Sequence, residues 1–171
     1  ITNVPNLLLQ KWFMPECHAV TKLNLSAMKT GDTAGMISMG VTFGAIAVTK
    51  TEEGFVLKQI FGEQKFANEV ATAEDEEKVI KMLSADTKEI WFSNTVKKVP
   101  STSMNSDGPY TFLIPAEDIS LGFSLDGEQF EDIMTYPAKA GRWVGVKHGV
   151  FCYHENDGEA GEMGVEYFRY L

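Results

Sequence analysis

Cys152 and His154 stand two residues apart in KHGVFCYHENDGEAGE (147–162), a spacing that puts both side chains on one face of an extended strand. A cysteine beside a histidine begins a nucleophile and base pair, but the sequence around them supplies no third group to orient the imidazole, and no G-x-S-x-G elbow occurs in the chain. His148 falls on the same face, yet at ~3.3 Å per residue it lies about 13 Å from Cys152, too far to share an ion through ligand bonds of about 2 Å. Only Cys152 and His154 could join at a transition metal, with Cys17 or His18 brought in from elsewhere, so no metal site is assigned. The acidic run HENDGEAGE (154–162) offers oxygen ligands to calcium without the spacing of an EF-hand, and no other cofactor is expected. There is no glycine-rich phosphate cradle. The 24 acidic residues single out no pair for glycoside or proton chemistry, so no catalytic residue is assigned.

Aromatic rings are the remaining chemistry, because a flat ring matches the apolar face of a pyranose while its polar edge stays wet. Trp12, Trp91, Trp143, Phe43, Tyr110, Tyr136 and Tyr153 are the rings in question. In a β-rich fold most of these fill the core.

The elements that must position these residues are short. Turn signals recur at KTGD (29–32), TEEG (51–54), NSDGP (105–109), LDGE (125–128) and KAGR (139–142). Between them lie runs of period-two character: HAVTKLNLS, TFGAIAVTK, GFVLKQIFG, KEIWFSNTV, ISLGFSL, WVGVKHGVFCYH and GVEYFRYL. Many short strands at this spacing predict an all-β antiparallel fold, a sandwich or barrel. TAEDEEKVIKML (72–83) is ambiguous, with helix-like spacing of Val79, Met82 and Leu83 and a hairpin reading of equal standing. Asp126-Gly127 predicts a hairpin with a type I′ turn, Phe123 and Leu125 facing Phe130 and Ile133 across it as scaffold. KKVPSTSMNSDGP (97–109) reads as a long surface loop within the domain.

A chain of 171 residues with 44% apolar residues can bury one core, and residues 1–171 are read as a single domain. Its formal charge of −9 repels phosphate backbones and anionic bilayers, so neither nucleic acid nor membrane is expected as a partner. No run approaches the roughly 20 apolar residues of a transmembrane helix. The start, ITNVPNLLLQKW, lacks the basic head and apolar run of a signal peptide, and its first residue, Ile1, suggests a piece of a longer protein. Cys17 and Cys152 are compatible with a bridge or with two thiols.

Several separated motifs, VPNLLLQKW, TKLNLSAMKTGDTAGMISMG (21–40), FSLDGEQFEDI (123–133), AGRWVGVKHGVFC (140–152) and the closing VEYFRY, resemble a family across nearly the whole chain. They look like the concanavalin-A-like β-sandwich, a jelly roll of two antiparallel sheets, at the C-terminus of glycoside hydrolase family 43 enzymes of the β-xylosidase and arabinofuranosidase group. The resemblance implies that the hydrolytic carboxylates belong to an N-terminal five-bladed propeller, so that this chain alone is not an enzyme. It implies a non-catalytic accessory domain of a secreted or periplasmic polysaccharide-degrading hydrolase, with its own catalytic propeller as partner. In some members a loop of the sandwich sets an aromatic at the rim of the substrate pocket, and Trp143 in GRWVG is the nearest match. The family has strands at EKVIKML, so 72–83 is expected to be strand, with an inserted loop over 62–77. The stretch 97–118 looks like an insertion, and His148 replaces a residue that is usually aliphatic. The rival reading is an autonomous carbohydrate-binding module for plant cell-wall polysaccharide, binding xylan- or arabinan-type oligosaccharide through Phe43, Trp91 and Tyr110. A third reading is a purely structural or interaction domain, which would show a large exposed apolar patch.

Overall fold

A computed structural model of the chain describes residues 4, 6–12, 16–67, 70–99, 104–105, 112–113, 116–139, 145–155 and 158–171. The described strands are β1 (Asn6–Lys11), β2 (Cys17–Asn24), β3 (Asp32–Met39), β4 (Thr42–Lys50), β5 (Gly54–Ala67), β6 (Val70–Ser84), β7 (Glu89–Val99), β8 (Met104–Asn105), β9 (Phe112–Leu113), β10 (Ala116–Ser124), β11 (Glu131–Pro137), β12 (Lys147–His154) and β13 (Gly164–Tyr170). They form a six-stranded sheet in the order β1-β12-β3-β4-β5-β6, a five-stranded sheet in the order β11-β10-β7-β2-β13, and the small pair β8-β9. Every pairing is antiparallel. The two large sheets make the expected all-β sandwich of concanavalin-A-like type.

The main core lies between the sheets. Met36, Ile46 and Leu57 from the six-stranded sheet meet Leu23, Ile90, Phe92 and Leu121 from the other. Each such side chain contributes about 1.5–3 kcal/mol by leaving water. A second apolar cluster, Ile37, Ala45, Ala47, Ile60 and Phe151, occupies the opposite face of the six-stranded sheet, with Leu7, Leu9 and Tyr153 packed against it. Because β3 is thus buried on both faces over seven of its eight residues, it carries no polar alternation. That is why DTAGMISM does not announce itself as a strand, whereas each of the seven alternating runs holds one.

Three local expectations are corrected. The expected loop over 62–77 is instead part of a long hairpin, in which β5 and β6 pair from Gly54↔Ser84 to Ala67↔Val70. Past Glu63, the last partner of β4, β5 pairs with β6 alone. The polar run AEDEE lies on an edge strand, where charged side chains solvate the backbone edge and discourage further pairing. The stretch 97–118 is partly regular, since β7 extends to Val99 and pairs there with Ala116 of β10.

The hairpin at Asp126-Gly127 exists, but its turn is not the two-residue type I′. Phe123 pairs with Glu131, which leaves residues 124–130 to the connection. Asp126 Oδ1 accepts the N–H groups of Glu128 (2.8 Å) and Gln129 (2.9 Å) and the Ser124 hydroxyl (2.8 Å). These donors hold its carboxyl below the ordinary carboxylate range. Local side-chain capping of this kind competes with a tight turn and favours the wider loop.

Candidate functional site

Trp91 is carried by β7 on the outer face of the five-stranded sheet, since its neighbours Ile90 and Phe92 point into the core. Across the strands Trp91 pairs with Lys22 of β2 and Ser124 of β10, and Lys22 pairs in turn with Tyr167 of β13. The indole N–H donates to the Tyr167 hydroxyl at 2.9 Å. Lys22 Nζ lies 5.1 Å from the ring centroid and bridges Glu89 and Glu166, both at 2.8 Å. Hydrogen bonds to Glu166 and then Glu89 raise the lysine pKa, so a fixed cation sits over the aromatic ring.

Gly127, with φ of 77°, brings its loop onto the same indole. A Cβ there would come within 2.8 Å of Cε2 and 3.0 Å of Nε1, an approach over the ring that only glycine allows. What remains accessible of Trp91 lines an open groove of about 500 Å³ with Asn24, Ser26, Thr87, Lys88 and Leu125. The arrangement offers hydroxyl, amide and charged groups beside an aromatic edge, with Lys22 over the ring and the Gly127 loop resting on it.

The other three aromatic candidates fare differently. Phe43 is fully buried, at 0% exposure, against the position of Gly62, so it has no face to present to a sugar and belongs to the interior. Its run, TFGAIAVTK, sits on a central strand with both faces covered, which the sequence pattern could not separate from a half-exposed one. Trp143 and Tyr110 lie outside the described residues. Lys139, the last described residue before the segment of Trp143, lies against the β3–β4 turn and β5. There Val41 N–H donates to Lys139 C=O (2.6 Å), Gln64 N–H to Val41 C=O (2.7 Å), and Lys139 pairs with Glu63 (2.9 Å).

Cys152 and His154 face the inside of the sandwich, and the orienting group absent from the local sequence is Asp32, 122 positions away on β3. His154 Nδ1 lies 2.8 Å from Asp32 Oδ1, and Asp32 Oδ2 accepts the N–H groups of Lys29 (2.6 Å) and Gly161 (3.0 Å). His154 Nε2 is buried with no hydrogen-bond partner among the described residues. Burial and the Asp32 charge raise the Cys152 thiol pKa. Cys17 lies in the other sheet and is not bridged to Cys152. Of the acidic 154–162 run, Glu159 is paired with Lys29 at 2.8 Å, and no three His, Cys, Asp or Glu residues gather as ligands among the described residues.

His148 is equally internal. It is fully buried between the sheets, Nδ1 3.3 Å from Asn94 Oδ1 and Nε2 2.6 Å from the Tyr170 hydroxyl, which Gln10 also contacts. Desolvation pushes its pKa down to about 4, so it is a neutral hydrogen-bonding link in the core at neutral pH.

A sandwich of two antiparallel sheets with this order, and with no helix among the described residues, places the chain in the concanavalin-A-like class. The family model of the β-xylosidase C-terminal concanavalin A-like domain matches residues 1–171, and the chain belongs to that family. Among solved structures it is similar to a GH43 glycoside hydrolase engineered to display both endo-xylanase and exo-arabinofuranosidase activity. That similarity has a TM-score of 0.70 at 14% identity, covering 95% of this chain and 30% of the other. It is also similar to a bifunctional GH43-CE protein of Bacteroides eggerthii, with a TM-score of 0.62, 17% identity, and coverage of 95% of this chain and 18% of that one. No curated protein matches the sequence. The chain therefore spans less than a third of either solved protein.

Proposed function

We propose that the chain is a non-catalytic accessory domain of a secreted or periplasmic glycoside hydrolase of the β-xylosidase and arabinofuranosidase type, packed on the catalytic propeller and shaping its substrate pocket. The observation that carries this reading is the family match over residues 1–171, for a chain that spans only 30% of a similar solved glycoside hydrolase. The propeller supplies the chemistry and the sandwich supplies a wall. The test compares the parent hydrolase with its Trp143→Ala variant. A raised KM for xyloside or arabinoside with unchanged melting supports pocket shaping, and unchanged kinetics with tight propeller packing reduces the role to packing.

A second reading rests on the Trp91 groove, whose polar lining suits a neutral xylan- or arabinan-type oligosaccharide bound by the sandwich itself. Titration with xylo- and arabino-oligosaccharides, followed by tryptophan fluorescence and heat, decides it. Saturable binding lost in Trp91→Ala supports a binding module, and a flat titration ends that reading.

A further inference from the structure

One cavity of about 270 Å³ is lined by Asn6, Met28, Asp32, Cys152, His154 and Met163, with Ala160 and Gly161 among its other walls. Four of these carry soft or borderline donors: one thiol, one imidazole and two thioethers. His154 has one ring nitrogen fixed on a carboxylate and the other buried without a partner among the described residues. A buried polar atom left unpaired costs about 1–3 kcal/mol, so its persistence calls for a partner. The carboxylate–imidazole pairing is also the outer-shell arrangement that orients metal-binding histidines. Asp32 is itself pinned by two backbone N–H groups, from Lys29 and Gly161, and a Cβ at position 161 would lie 2.5 Å from its Oδ2. The orienting group is therefore held as firmly as the imidazole it orients.

We propose that Cys152, His154, Met28 and Met163 form a binding site for one soft monovalent d10 cation of the copper(I) class, with Asp32 as the positioning residue. Thioether and thiolate sulfur select such ions over hard cations. Cys152 and His154, two residues apart on β12, project to the same side, and Met28 and Met163 line the same cavity. Binding is a ligand exchange with balanced charge: the Cys152 S–H bond breaks, an S–metal bond forms, and the proton passes to solvent. His154 binds through the lone pair of Nε2, with Nδ1 held on Asp32.

The test is a titration of the intact chain with Ag(I) in chloride-free buffer and with Cu(I) under competition from a copper(I) chelator. The expected result is one ion bound per chain and a raised melting temperature. It should persist in Cys17→Ser, which removes the other thiol. Met163→Leu and Met28→Leu keep volume and should each weaken binding at least tenfold, and Asp32→Asn should weaken it about 10–100-fold. Failure to bind one ion tightly overturns the proposal. So does binding that falls only in Cys152→Ser and ignores the methionine and Asp32 changes, which would be capture by a single thiol.

Discussion

Acid should loosen this protein through His148, and the size of the effect follows from the geometry. In the unfolded chain the imidazole takes up a proton near its ordinary pKa of 6.5, whereas burial between the sheets holds it down to about 4 in the native state. Between those values the unfolded state binds more protons, so stability rises with pH across the window and falls as pH drops from about 6.5 toward 4. The difference of about 2.5 pH units, at about 1.4 kcal/mol each, gives roughly 3.5 kcal/mol, of which about 2.5 kcal/mol is lost by pH 4.5. Against a total of about 5–15 kcal/mol for a domain, that is a large fraction. The assay is urea denaturation at pH 7.5, 6.5, 5.5 and 4.5 of the wild type and His148→Gln. The variant is expected to start less stable, because Asn94 and Tyr170 lose their shared partner, but to lose about 2–3 kcal/mol less on acidification. Proton NMR of the ring should show the titration near pH 4. Parallel stability curves for the two proteins, or a ring that titrates near 6.5, would refute the reasoning.

Other consequences can be checked with the same chain. Phe43→Ala should cost about 3–5 kcal/mol in denaturant unfolding, because the ring is wholly enclosed; a cost under 1 kcal/mol would mean that the site is open. Tyr136→Phe removes the hydroxyl that donates to the Ser38 carbonyl at 2.9 Å in the core and should cost about 0.5–1.5 kcal/mol without altering the fold by circular dichroism. Gly127→Ala combines a positive φ with a contact on the indole, so it should destabilise by at least ~1 kcal/mol and shift the Trp91 fluorescence; an unshifted spectrum would argue against the contact. Lys58 is buried while its partner Glu77 is half exposed, so Lys58→Met should be near neutral in stability, whereas Lys58→Ala should destabilise by leaving a gap.

The fold was legible where one face of a strand is wet. Runs such as HAVTKLNLS and GVEYFRYL alternate because one side meets water, and the structure places β2 and β13 there. Alternation fails for β3, buried on both faces, and along β6, where an edge strand is polar for reasons of solubility and reads as a loop. The Asp-Gly signal located a hairpin correctly and missed its width, since Ser124 and Asp126 capture the local N–H groups. Site residues were harder to read. Cys152 and His154 were visible as a pair, but Asp32 is brought to His154 only by the β3–β12 register, which no local spacing encodes. Trp91 was visible as a ring, yet its environment depends on Lys22, Tyr167 and Gly127 from three separate elements. Phe43 shows the converse: an aromatic on an alternating run looks half exposed until the cover on its second side is known.

The measurement that bears most directly on the accessory role is hydrolysis of aryl β-xylosides and α-arabinofuranosides by the purified chain. The account predicts no turnover above buffer. Turnover that follows this chain through purification would contradict it.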